Sequence, residues 1–195
     1  HALAKAEDCF LIVDEAHATG IWGPEGRGLA ADLAGDERVV TLHTCGKALG
    51  VAGALVCAHP VLIETLVNRA RGFIYSTAPS PLSAAIVRGV LGHLDHDAGP
   101  RDRLQARVAR VAGGLKALGL NPTASQIQPI PAPGDAAALA LSAALAARGF
   151  DLRAIRSPTV PKGAERLRLS VTLNPAADEI DSLFNALGAS LQAAA

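Results

Sequence analysis

Short apolar runs and segments of helical periodicity alternate along the first half of the chain. Residues 9–13 are apolar and lead into acidic residues, and 39–43 and Ala54–Cys57 are two further short runs of strand character. The first run has the pattern of a strand buried on both faces of an α/β sheet, and the polar groups after it lie where such sheets bind ligands. Apolar residues recur at helical spacing in 60–71, 81–96 and 101–118. This alternation predicts an α/β unit.

The second half has the pattern of a smaller mixed unit. A segment rich in Pro and polar residues, NPTASQIQPIPAPGD, surrounds the apolar run 127–130. A helical pattern, two strand patterns and a last helical pattern follow at 136–148, 152–156, 166–173 and 176–191. This β-α-β-β-α order predicts a small α+β domain after the end of a larger α/β domain. We place the boundary in the helical region 81–118, so that the larger domain covers 1–95 and the small domain 96–195.

Composition narrows the classes of function. Acidic and basic residues balance at 18 each, and 3% of residues are aromatic. This composition argues against a nucleic-acid partner, because the chain has no net positive charge to attract phosphates and few aromatic side chains on which bases could stack. No segment approaches the roughly 18 apolar residues of a membrane span. The cysteines at 9, 45 and 57 lack metal-ligand spacing, so we predict small core residues, no metal site and a cytoplasmic location. The chain begins at His1 and contains no Met, and we interpret it as a fragment without its N-terminal part.

The letters D-E-A-H at 14–17, directly after the first strand, are compatible with two classes of enzyme. In a helicase the acidic pair would hold Mg²⁺ on ATP, and a G-x-x-x-x-G-K-[ST] loop would have to lie upstream to hold the triphosphate. The Gly46-Lys47 pair lies downstream, has no Gly five residues before it and is followed by Ala48 rather than a hydroxyl residue. Ser76-Thr77-Ala78 contains only the scrambled letters of the helicase S-A-T element. The helicase interpretation is therefore disfavoured.

Pyridoxal 5'-phosphate (PLP) chemistry needs a different set of groups, and the chain contains them in order. Lys47 lies in a small-residue turn after a strand, as a lysine that forms a Schiff base should. Asp14 follows the first strand, where a carboxylate could pair with the pyridine nitrogen. His17 lies three residues further on and could reach the 3-oxygen of the ring. Hydroxyl candidates for the phosphate are Thr44, Ser76 and Thr77.

Four stretches carry a resemblance to one family. VDEAHATGIWGPEGRG, TCGKALGVAGA, FIYSTAPSP and AIRSPTVPKGAERLRLSVT are similar, in this order and spacing, to motifs of the α-oxoamine synthases. These are PLP-dependent enzymes that join an amino acid to an acyl thioester. The resemblance covers roughly the second half of a full-length synthase. It implies the C-terminal part of a large domain of fold type I, like that of aspartate aminotransferase, followed by a small α+β domain.

The same resemblance implies catalytic roles for three residues. Asp14 would pair with the pyridine nitrogen and His17 with the 3-oxygen of PLP. Lys47 would form the Schiff base and then remove the α-proton of the amino acid. Glu15 receives no role, and its substitution is expected to matter far less than that of Asp14.

Further residues are implied in binding. Thr44 would hold the phosphate of its own subunit, while Thr77, with Ser76, would reach the phosphate of a neighbouring subunit, which implies a homodimer with shared active sites. Arg156 would bind the carboxylate of the incoming amino acid, and Thr159 belongs to the same substrate segment.

The implied reaction is a decarboxylative condensation of L-alanine with a pimeloyl thioester, carried by CoA or acyl carrier protein. Its product would be the amino-ketone precursor of biotin, and neither nucleic acid nor membrane takes part. Two alternatives stay open within the family. One is another α-oxoamine synthase, such as glycine C-acetyltransferase (2-amino-3-ketobutyrate CoA ligase), and the other is a non-catalytic member.

Overall fold

The computed structural model describes residues 1–194 and the side chains of residues 1–192. The chain forms two compact units, of which the first is His1–Arg101 and the second begins at Asp102. The first unit contains α1 (Ala2–Ala6), β1 (Leu11–Asp14), β2 (Val39–Thr44), β3 (Ala54–Cys57), α2 (Pro60–Arg69), α3 (Arg71–Ile74) and α4 (Pro81–His96). Helix α5 (Gly99–Ala117) begins at the end of the first unit. It is followed by β4 (Ile127–Pro131), α6 (Asp135–Ala146), β5 (Arg153–Ile155), β6 (Arg166–Ser170) and α7 (Ala177–Ala194).

The first unit is built on a three-stranded sheet in the order β1-β2-β3. Strand β1 is parallel to β2, with Asp14 opposite Leu42, and β2 is antiparallel to β3, with Thr44 opposite Ala54. Because side chains alternate along a strand, Asp14, Leu42 and Thr44 share one face of the sheet. Thr41 and His43 lie on the other face.

Burial of β1 differs from the prediction. Its pattern alternates between half-buried and exposed residues, and Ile12 is 66% exposed. Residues 15–35 cover the sheet face that carries Thr41 and His43, where Thr19 contacts His43. On the other face the β1 residues Ile12 and Asp14 are both exposed, so burial on both faces is wrong for this strand.

Helix α4 begins at a well-defined cap. The Ser80 side chain accepts a hydrogen bond from the Leu82 N–H, and Pro81 occupies the first turn, where its missing N–H costs nothing. Val87 on this helix packs with Cys45 and Leu49 in a small apolar cluster. The helix therefore supports the turn that contains Lys47.

The second unit has its own sheet and core. Strand β6 lies between β4 and β5 and is antiparallel to both. One apolar cluster joins residues of α5, α6 and α7 to the sheet, and its members without solvent exposure are Leu115, Ile130, Ala138, Leu145, Leu167 and Leu187. The order β4-α6-β5-β6-α7 confirms the predicted β-α-β-β-α pattern.

Two expectations from composition can be compared with the structure. Cys45 is buried, whereas Cys9 and Cys57 are exposed, so the interpretation of all three cysteines as core residues is wrong for these two. Cys57 is the last residue of β3, an edge strand in which all four residues are exposed. Within the described part of the chain, no helix combines the length and apolar character needed to cross a bilayer.

Candidate active site

Two loops meet at one edge of the first sheet. Since β1 and β2 are parallel, their carboxyl ends point the same way, and Asp14 is the last residue of β1 while Thr44 is the last of β2. The strand spacing and the rise per residue place their Cα atoms about 8 Å apart on the same face. Lys47 follows Thr44 by three residues. The topology therefore brings the D-E-A-H segment and the lysine turn to the same edge.

The Asp14 carboxylate is exposed and only partly engaged. Its Oδ1 atom accepts a hydrogen bond of 2.8 Å from the Ala16 N–H. This bond orients the carboxylate at the sheet edge, where Asp14 is exposed. His17 is exposed in the turn that follows, which closes where the Glu15 carbonyl accepts from the Ala18 and Thr19 N–H groups.

Backbone hydrogen bonds close the base of the turn that contains Lys47, and residues 46–48 at its tip are exposed. The Cys45 N–H donates to the Gly53 carbonyl at 2.9 Å, and the Val51 N–H donates to the Cys45 carbonyl at 3.0 Å. Burial raises the pKa of the Cys45 thiol, so this residue stays neutral and serves packing. Lys47 is exposed, and a Cβ added at Gly46 or Gly50 would meet no atom within 4 Å. A ligand could therefore approach the Lys47 amine freely.

Thr44 has an unusual hydroxyl. Its Oγ1 atom is buried and has no hydrogen-bond partner among the described residues. A buried hydroxyl without a partner is costly, and a bound phosphate oxygen would remove that cost by accepting a hydrogen bond from it. With the acceptor Asp14 Oδ2 and the amine of Lys47 at the same sheet edge, the groups present suit the three parts of PLP: ring nitrogen, aldehyde and phosphate.

Ser76 and Thr77 follow α3 and are both exposed. The Ser76 hydroxyl donates to the Gly72 carbonyl at 2.6 Å, so its proton is already engaged. Neither residue makes a hydrogen bond to Asp14 or Lys47 in the described structure. Both residues are therefore exposed, without a hydrogen bond to the candidate site among the described residues.

Arg156 and Thr159 belong to the second unit. Arg156 directly follows β5, and its Nη1 atom lies 3.9 Å from Oδ2 of Asp135, the first residue of α6. The Arg156 side chain is 41% exposed, so this ion pair is loose. The Val160 N–H donates to the Arg156 carbonyl at 3.2 Å, and the turn thus formed leaves Thr159 exposed. The guanidinium remains accessible to a carboxylate.

The structure gives Glu15 a role that the sequence interpretation missed. Its side chain is 2% exposed, and Oε1 accepts from the Ala30 N–H at 2.6 Å. Its carboxyl group lies so close to Gly28 that a Cβ there would be 2.8 Å from the carboxyl carbon. Glu15 therefore holds the glycine-rich segment after the D-E-A-H motif. Strand alternation is the signal that could have shown this, because neighbours at a strand end face opposite sides.

A family model described as aminotransferase class I and II matches residues 1–187. The chain belongs to this family. Among relatives with curated names, an 8-amino-7-oxononanoate synthase of Saccharophagus degradans is 40% identical over 190 residues, which cover 95% of the chain and 48% of the relative. The synthase of the same name from Anaeromyxobacter dehalogenans is 43% identical over 192 residues, which cover 97% of the chain and 48% of the relative.

Solved structures of the family agree with the fold. A serine palmitoyltransferase from S. paucimobilis with PLP-myriocin bound has a TM-score of 0.88 at 25% identity, and covers 98% of this chain and 50% of its own. An 8-amino-7-oxononanoate synthase from Francisella tularensis has a TM-score of 0.83 at 28% identity, and the match covers 98% of this chain and 58% of the synthase chain. The predicted fold type and the resemblance to α-oxoamine synthases are confirmed. The chain spans about half the length of the curated relatives that it matches.

Proposed function

We propose that this chain belongs to a PLP-dependent synthase that condenses L-alanine with a pimeloyl thioester, with loss of CO₂ and of the carrier thiol, to give 8-amino-7-oxononanoate for biotin. The observation that carries the proposal is the meeting of the Asp14 loop and the Lys47 turn at one sheet edge. Similarity to synthases of that name along nearly the whole chain supports the choice of substrates.

When bound, PLP supplies an electron sink for the carbanion that the reaction needs. Asp14 would accept a hydrogen bond from the protonated ring nitrogen, and its negative charge would keep that proton in place. His17 would contact the 3-oxygen of the ring, and the Thr44 hydroxyl would donate to the phosphate. Together these residues would orient the cofactor against the sheet edge.

Lys47 has two tasks in this mechanism. Its Nζ atom would hold the cofactor covalently, and its free amine would remove the proton from the substrate Cα. Arg156 binds the substrate carboxylate through a charge-assisted fork. Because Asp135 Oδ2 is 3.9 Å from Arg156 Nη1 and both side chains are exposed, this ion pair is weak and would not compete strongly with a substrate carboxylate.

The partners follow from the same proposal. The exposed Ser76 and Thr77 reach the phosphate bound by a second copy, so the enzyme works as a homodimer with shared sites. Thr159 contributes to the substrate segment beside Arg156. The acyl donor is pimeloyl-CoA or pimeloyl-acyl carrier protein, and the enzyme acts in the cytoplasm without nucleic acid.

Borohydride reduction in the presence of PLP, followed by peptide mapping of the full-length protein, tests the cofactor assignment. We expect the label on Lys47, its loss in Lys47→Ala and its retention in Lys162→Ala, a matched change in another exposed loop. A label that is absent from Lys47 would contradict the enzyme assignment and favour a non-catalytic member.

The substrate assignment has a separate test. The PLP-loaded protein is mixed with L-alanine, glycine or L-serine, and the long-wavelength absorbance of the cofactor is followed. A response to L-alanine supports the proposal. A response to glycine without one to L-alanine would favour glycine C-acetyltransferase.

A further inference from the structure

A chain of hydrogen bonds lies on the face of the sheet opposite Asp14. The Thr19 hydroxyl, in a residue that is 5% exposed, donates to the Glu15 carbonyl at 2.8 Å and lies 2.9 Å from Nδ1 of His43. Nε2 of His43 is 2.9 Å from the Thr41 hydroxyl oxygen. The chain therefore runs from the end of β1, through the turn after it, to β2.

One assignment of donors and acceptors satisfies every contact along this chain. In it the Thr19 hydroxyl donates to the Glu15 carbonyl, which can only accept, and Thr19 Oγ1 accepts from His43. His43 then carries its proton on Nδ1. In the neutral ring Nε2 is an acceptor, and the Thr41 hydroxyl donates to it. Every contact in the chain is thus satisfied by one tautomer of His43.

These bonds attach the turn to β2 at two points. The Glu15 N–H donates to the Leu42 carbonyl at 2.8 Å at the start of the turn, and the contact between Thr19 and His43 lies at its end. His17 lies between the two attachments, with Asp14 just before the first. His43 directly precedes Thr44 and is four residues before Lys47. The attachments therefore set where His17 lies relative to the strand that leads into the lysine turn.

We propose that Thr19 and His43 are positioning residues, which hold the Asp14–His17 turn in register with the strand carrying Thr44 and Lys47. The inference rests on the proposed function, because the groups so positioned are those assigned to PLP. Neither residue contacts the cofactor in this scheme. Loss of one buried hydrogen bond shifts an equilibrium by roughly tenfold, and we expect a loss of PLP affinity of about that size.

Substitution of Thr19 separates its bond from its packing. Thr19→Val keeps the shape and removes the hydroxyl, whereas Thr19→Ser keeps the hydroxyl and removes a methyl group. Thr65→Val is the matched control, because the Thr65 hydroxyl also donates to a backbone carbonyl four residues before it, on the exposed face of α2.

Two readouts are taken on the full-length protein. Hydrogen exchange without PLP is followed in peptides covering 15–22 and 39–47, and PLP affinity is measured by absorbance titration. We expect Thr19→Val to speed exchange in both peptides and to weaken PLP binding about tenfold, with Thr19→Ser close to wild type and Thr65→Val unchanged. Thr19→Val combined with His43→Leu should cost no more than the larger single effect, since both variants remove the same bond.

Each contrary result has a defined meaning. Wild-type exchange and PLP affinity in Thr19→Val would overturn the proposal, as would failure of Thr19→Ser to restore them or strictly additive costs in the double variant. An equal effect of Thr65→Val would show that the changes are not specific and would also overturn it. If the wild-type protein takes up no PLP, the proposed function fails, and exchange in the protein without PLP still decides whether Thr19 and His43 hold the turn.

Discussion

Substitution of Asp14 and of Glu15, one at a time, should affect two different properties of the protein. Asp14 is exposed at the sheet edge and accepts one local hydrogen bond from the Ala16 N–H. Glu15 is buried on the opposite side and accepts from the Ala30 N–H at 2.6 Å. We expect Asp14→Ala to impair PLP binding with little loss of stability, and Glu15→Ala to lower the free energy of unfolding with much less effect on PLP binding.

The magnitudes follow from the contacts. Glu15→Ala leaves the buried Ala30 N–H without an acceptor, which costs about 1–3 kcal/mol. Glu15→Gln keeps an oxygen acceptor in that place and should cost roughly half as much. Asp14→Ala removes one exposed local bond, worth about 0.5–1 kcal/mol. Loss of a charge-assisted bond to the ring nitrogen, at about 1.5–3 kcal/mol, weakens PLP binding by about 10- to 100-fold.

Urea unfolding and PLP titration measure the two properties. Trp22 is the one tryptophan of the 195 residues and lies in the segment that Glu15 holds, so its fluorescence reports on unfolding there. Equal losses of stability in Asp14→Ala and Glu15→Ala would refute the assignment of opposite faces. Greater loss of cofactor binding in Glu15→Ala than in Asp14→Ala, measured on folded protein, would refute the PLP roles and favour a nucleotide site.

Two further predictions concern the glycine-rich segment and the second unit. Gly23→Ala should destabilise the protein by about 3 kcal/mol or more, because the new Cβ would lie 1.9 Å from the Gly28 carbonyl oxygen. Gly35→Ala is the control: Gly35 also has a positive φ, but a Cβ there would meet no atom within 4 Å, so the change should cost about 1 kcal/mol. Equal midpoints of urea unfolding for the two variants would contradict this. The Glu165 carboxylate accepts hydrogen bonds from the Gly134 N–H and from the N–H of Glu165 itself, and these bonds lower the pKa of Glu165. The carboxylate therefore contributes to stability above the ordinary glutamate pKa of about 4.3. This contribution is lost as the pH falls through the lowered pKa. Urea unfolding of Glu165→Gln should show a weaker loss of stability in this acidic range, and an unchanged pH dependence would contradict the assignment.

Elements with a clear local signal are predicted well from the sequence. Strand β3 (Ala54–Cys57) and helix α4 (Pro81–His96) have the predicted bounds. For α4 the start is marked in the sequence by the cap residue Ser80 and by Pro81. The segment 60–71 is predicted as one helix, but the chain leaves helical geometry at Ala70, whose φ of −74° and ψ of 104° separate α2 from α3. Neither Gly nor Pro marks that break, so hydrophobic periodicity could not show it.

The candidate site divides in the same way. Asp14, His17 and Lys47 can be recognised from residue type and spacing, and the parallel pairing of β1 with β2 brings their loops to one edge. The contact between Thr19 and His43 depends on strand register and on which face each side chain occupies. A single sequence does not contain that information, because two polar residues 24 positions apart have no local pattern in common.

The strand order also has a consequence for how the site assembles over time. The Lys47 turn lies in a hairpin, where Thr44 pairs with Ala54, whereas Asp14 reaches Leu42 only after the much longer connection between β1 and β2 has closed. Closing the longer connection costs roughly 1 kcal/mol more in chain entropy. We therefore expect the lysine turn to form first as a local structure, and the carboxylate that completes the site to join it in a later step.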